Sequence, residues 1–231
     1  MSRISVGMGM TAVLALTACA ADSTGPTGLE DVAMTTAAAL VAVDGVQQDL
    51  DLMAVHERAE PNRTVTFLDA AGNTQAKHDS LTTASIRTHS VLDHEGAREH
   101  FTATIHRESD MTVSGLVGRE TQRTFNGTSA GKVTRSSTTD AGVTRSFMMT
   151  ESEKVTNVVR SVDHAANPWP LSGSITRTHK VTLQGPNGEK TKDVTTVVTF
   201  NGTQNATLTV NGVPHDVDLA DRKGALPFRR K

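Results

Sequence analysis

Cys19 is the only thiol in the chain, so its chemistry is that of one sulfur atom. It can form neither an intrachain disulfide nor a cysteine metal cluster. Cations make up the next set of reactive residues. Read at a spacing of two, arginine and histidine fall repeatedly on the parity of apolar residues. Arg177 and His179 accompany Leu171, Ile175, Val181 and Leu183; Arg145 accompanies Val143, Phe147 and Met149. Arg119 and Arg123 lie between Val117 and Phe125, Arg135 goes with Val133, and Arg107 with Phe101, Ala103 and Ile105. His215 shares a face with Val213, Val217 and Leu219.

A charge on an apolar face is costly unless it is paired. One consequence is a concave surface with an apolar floor and a basic zone, suited to a lipid, a fatty acid or another anionic amphiphile. Arg123, Arg145, Arg177, His179 and His215 are then the candidate ligand contacts. The competing consequence is bland. Aliphatic stems rest on the core while the charged heads reach water at strand ends, or that part of an open sheet is solvated.

Other residue types give less. His89, His100 and His106 fall on the polar parity of one segment, and His78 and His94 lie near turns. A turn at Glu95-Gly96 would bring His89 diagonally near His100, but no metal-ligand spacing completes a site, and solvated histidines are expected. Glu151 and Glu153 are next-nearest neighbours on one face and are expected to be a solvated pair. No nucleophile elbow, phosphate-binding glycine loop or Ser-His-Asp set is recognisable. The sequence thus predicts a protein without catalytic activity, cofactor or metal. Its net charge of −2 and 3% aromatic content argue against nucleic acid as a partner.

The elements that carry these residues are mostly strands. Threonine is abundant, and β-branched side chains suit a pleated surface. Residues 62–220 alternate with period two. Expected strands are 63–69, 84–92, 99–107, 111–117, 120–125, 132–138, 143–152, 155–162, 171–183, 194–200, 204–210 and 213–219. Turns are expected around His94-Glu95-Gly96 and at Asn126-Gly127, Ala141-Gly142, Pro186-Asn187-Gly188, Asn201-Gly202 and Asn211-Gly212. Short links favour an up-and-down antiparallel meander that curls into a curved open sheet or a barrel. Thr124-Phe125-Asn126-Gly127-Thr128 recurs as Thr199-Phe200-Asn201-Gly202-Thr203, a sequence compatible with two related hairpins or with one turn used twice. Trp169, between Pro168 and Pro170, is expected to plug an end of the sheet.

The N-terminal region differs. Residues 29–58 are alanine-rich, lack proline and place Val32, Leu40, Val43, Val46, Leu50 and Met53 at helical spacing, which predicts one N-terminal helix. Residues 19–28 are small and polar, broken by Pro26, and form a flexible tether. Residues 221–231 make a basic tail. At the start, Arg3 precedes an apolar run from Val6 to Leu16, too short to anchor in a bilayer. The run ends in Leu16-Thr17-Ala18-Cys19, which resembles the lipobox of bacterial lipoproteins.

That resemblance covers the first 19 residues. It implies that residues 1–18 are an export signal and that Cys19 becomes the lipid-carrying first residue of the mature protein. The expected location is the cell envelope, with the membrane as partner through the N-terminal lipid. Ala20, rather than aspartate, after the cysteine favours the outer membrane where one exists. Beyond residue 19 the chain resembles no family by its motifs.

Overall fold

The structure, a computed structural model, describes residues 62–186 and 188–220. The signal, Cys19, the tether, the expected helix at 29–58 and the basic tail all lie outside them. Among the described residues ten strands form one sheet: β1 (Arg63–Leu68), β2 (Thr74–Gln75), β3 (Ser85–Arg98), β4 (Phe101–Ser114), β5 (Gln122–Thr138), β6 (Thr144–Ser161), β7 (Ser172–Gly185), β8 (Gly188–Thr199), β9 (Asn205–Val210) and β10 (Val213–Asp218). Their order is β10-β9-β8-β7-β6-β5-β4-β3-β1-β2, with every pair antiparallel. From β3 to β10 each strand pairs with the next in sequence, which is the expected meander. β10 and β2 are the two edges of the sheet, so it is open and not a closed barrel.

Several expected breaks are not breaks. The segments 99–107 and 111–117 fuse into β4, 120–125 and 132–138 into β5, and 143–152 and 155–162 into β6. β3 runs through His94-Glu95-Gly96 to Arg98, and the chain reverses at Glu99-His100, where His100 takes φ 62°. Asn126-Gly127 lies inside β5, not at a turn. Phe125 opposes Val158 and Gly127 opposes Val155, so β6 carries one extra residue there. This bulge is centred on Asn157, at φ 48°, whose amide donates to Asn126 Oδ1 at 2.8 Å. Gly173, at φ 101°, packs so closely on the bulge that a Cβ would collide with the Asn157 carbonyl. The second copy of the repeated pentapeptide is a genuine link, with Gly202 at φ 82° between β8 and β9. The two copies therefore do different jobs. Asn211-Gly212 is a two-residue hairpin turn with both φ positive, as its sequence predicts.

Period-two patterning sorts the sheet into an inner, buried face and an outer, exposed one. Cross-strand pairing builds two apolar rows on the inner face. One runs Phe67, Ile86, Val113, Phe125, Val158. The next passes from Met111 through Gly127, Val155, Ile175 and Val198 to Leu208. Val158 and Leu208 are fully buried, and Trp169 packs against this cluster from the β6–β7 connection. Each such side chain contributes roughly 1.5–3 kcal/mol by leaving water. The outer face is threonine-rich. Hydroxyl pairs bridge Thr104 to Thr134, Thr138 to Thr144 and Thr182 to Thr191 across neighbouring strands.

Candidate functional site

Two further rows on the inner face are polar. In one, Ser109, Ser129, Glu153, Arg177 and Thr196 follow one another across β4 to β8. In the other, Arg107, Gly131, Glu151, His179 and Val194 do so. The strand registry that stacks the apolar rows therefore also stacks these charges, one step further along the strands. Arg177 is 5% exposed, Glu153 8% and His179 1%.

Contacts within the cluster are specific. Arg177 Nε donates to Glu153 Oε2 at 2.6 Å. Arg107 reaches the same oxygen at 3.6 Å, lies 3.8 Å from Glu151 Oε1, and donates to Ser129 Oγ at 3.3 Å. Gly131 stands between Arg107 and Glu151, and a Cβ there would come within 2.9 Å of Glu151 Oε1. The absent side chain thus leaves a lane in which the carboxylate lies. His179 Nδ1 is 3.9 Å from Glu151 Oε2, beyond hydrogen-bonding range, and neither ring nitrogen has a hydrogen-bond partner.

Burial dominates the electrostatics. It pushes the Glu153 carboxyl up to about 7 against the pull of Arg107, and the neighbouring Glu151 charge adds to the rise. Burial also brings Arg177 down to about 10. It holds His179 below its ordinary value, with Glu151 pulling the other way and Arg177 adding to the fall. A carboxyl near 7 beside an imidazole has the acidity of a general acid or base. His179 is fully buried and Glu153 nearly so, while Glu151 and Arg107 keep partial exposure. The two grooves that stand out among the described residues open on the opposite face, around β1 and β3.

The five candidate ligand contacts do not converge. Arg177 and His179 are neighbours, but both face carboxylates. Arg123, half-buried at the start of β5, donates Nε and Nη2 to Glu120 at 2.9 and 2.5 Å. Arg145 is exposed at the start of β6, opposite Ser137. His215 sits in β10, opposite Leu208 and half-buried. Glu151 and Glu153, expected to be solvated, lie instead on the buried face and supply the counter-charge. The parity of Phe147 and Met149 already carries that information for Glu151; for Glu153 it emerges only when β6 is seen as one strand. His89 faces Asp110 across β3 and β4, not His100, because the turn lies at His100 itself. No family model, curated protein or solved structure matches the chain.

Proposed function

We propose that this chain is the precursor of a cell-envelope lipoprotein whose β-sheet body is a packed, non-enzymatic module of structural or protein-interaction type. The observation that carries the anchoring is Leu16-Thr17-Ala18-Cys19 at the end of a short apolar run behind Arg3. Signal peptidase action before Cys19 and acylation of its thiol would tie the body to a membrane surface through several chains at once, enough for firm attachment. The tether at 19–28 would hold the sheet clear of the headgroups. Ala20 favours delivery to the outer membrane where one exists.

The charge pairing on the inner face supports the packed reading of the body. A site for an anionic amphiphile needs uncommitted cations at an accessible apolar wall. Arg177 donates to Glu153 and Arg123 is bidentate on Glu120, so these two cations are already answered within the protein, while burial disfavours the charged form of His179. Mass spectrometry of the chain purified from its membrane should find no stoichiometric lipid beyond the covalent one. A stoichiometric non-covalent amphiphile lost on Arg177→Met would replace this reading with a carrier function. For the anchor, wild-type protein should partition into the detergent phase and Cys19→Ala into the aqueous phase. Equal partitioning of both would reject the proposed anchor.

A further inference from the structure

The outer face holds a cluster that neither the core nor the anchoring uses. His89 on β3 is directly opposite Asp110 on β4, and Glu108 lies two residues from Asp110 on the same face of the same strand. His89 Nδ1 is 3.4 Å from Asp110 Oδ1 and 3.9 Å from Glu108 Oε1, and the three donor atoms all lie within 4.8 Å of one another. Two ligands bound to one tetrahedral ion at about 2.0–2.1 Å sit roughly 3.3 Å apart. The His89–Asp110 separation is close to the one a small dication would impose, and Glu108 lies a short side-chain movement away. Paired central strands hold the backbone in register, so closing the set needs only side-chain rotation.

The chemistry of the donors selects the ion. One imidazole nitrogen and two carboxylates suit a borderline metal such as Zn²⁺, while hard cations prefer all-oxygen sites. Two negative charges match a dication. His89 and Asp110 are half-buried and line a groove of about 640 Å³ together with Thr64 and Arg87, while Glu108 is exposed, so water can complete the coordination. Thr64 is paired directly with His89 on β1. One group works against the ion. Arg87 Nη2 lies 3.5 Å from Asp110 Oδ1 and competes for that carboxylate.

We propose that His89, Glu108 and Asp110 form a Zn²⁺-class divalent-cation site on the outer face of the sheet. The proposal stands whether or not Cys19 is acylated. Its test is isothermal titration of the purified mature chain with Zn²⁺, repeated with Mg²⁺ and Ca²⁺. One saturable Zn²⁺ per chain is expected, with no comparable response to Mg²⁺ or Ca²⁺. His89→Ala and Asp110→Asn should each weaken it by more than about tenfold, since loss of even an outer-shell partner typically costs that much. Arg87→Ala should tighten it, although the substitution sits outside the ligand set. His106→Ala should leave it unchanged, because the His106–Asp93 pair at 2.6 Å on the same face has one carboxylate instead of two. All these side chains are exposed or half-exposed, and unchanged thermal unfolding will confirm that each variant folds. No saturable Zn²⁺ binding below about 1 mM, or equal loss in His89→Ala and His106→Ala, overturns the proposal.

Discussion

Replacing Glu153 with glutamine tests whether the buried ion pair stabilises this sheet or burdens it. Burial raises the Glu153 carboxyl from its ordinary 4.5 to about 7. The folded protein therefore keeps a proton that the unfolded chain releases at lower pH. Stability from this group is present below the unfolded value and is lost as pH rises through the interval to about 7. The interval from 4.5 to about 7 corresponds to roughly 3 kcal/mol. Glutamine takes no part in this titration, and its side-chain oxygen can still accept from Arg177 Nε. Its amide hydrogens need a partner in a buried site, a loss of about 1 kcal/mol.

Near pH 8 the Glu153→Gln protein should then be about 2 kcal/mol more stable than the parent, or roughly 4–8 °C higher in Tm for a body of this size. Near pH 4.5 the order should invert by about 1 kcal/mol. His179 contributes with the opposite sign, since its lowered value adds stability as pH rises, but that contribution is common to both proteins and drops out of the difference to first order. Urea denaturation of both proteins at pH 5 and pH 8 reads the effect directly. A Glu153→Gln protein that is less stable at pH 8, with the deficit shrinking towards pH 5, would refute the reasoning. It would mean that Arg177 holds the carboxylate ionised and that attraction exceeds desolvation.

Two further substitutions probe the frame. Leu208→Ala removes a fully buried side chain between Val198 and His215 and should cost about 2–5 kcal/mol in urea denaturation; a loss under about 1 kcal/mol would place Leu208 outside the core. Gly173→Ala adds a Cβ at φ 101° against the Asn157 carbonyl, so it should lower stability by more than about 1 kcal/mol, and a neutral outcome would mean that the bulge in β6 yields easily.

The meander was legible because its signals are local. Alternation of apolar and polar residues specifies strands, and Ala141-Gly142 and Asn211-Gly212 specify turns by the backbone angles they allow. Strand continuity was harder to read. Asn126-Gly127 carries a strong turn signal, yet its partners are long strands on both sides, and their ladder absorbs it as a bulge site. Conversely, Glu99-His100 turns the chain without a glycine, so nothing local marks it. Ending a strand at Ser152 left Glu153 outside any expected strand, and the pair looked solvated although Glu151 already shared the parity of Phe147 and Met149. Arg177 and His179 were correctly placed on the apolar parity. Their partners were not, because a cross-strand neighbour 24 residues away in sequence, as Glu153 is from Arg177, depends on a register that only the assembled sheet defines. The same holds for His89 and Asp110. Gly131 is visible only as an absence, a position where the sheet leaves room for another strand's carboxylate.

The most direct test of the central claim is mass spectrometry of the N-terminal peptide of the mature protein recovered from its native membrane. A peptide beginning at Cys19 and carrying the added mass of a diacylglycerol thioether is expected. A mature chain that begins at any other residue, or an unmodified Cys19 on membrane-recovered protein, would contradict the account.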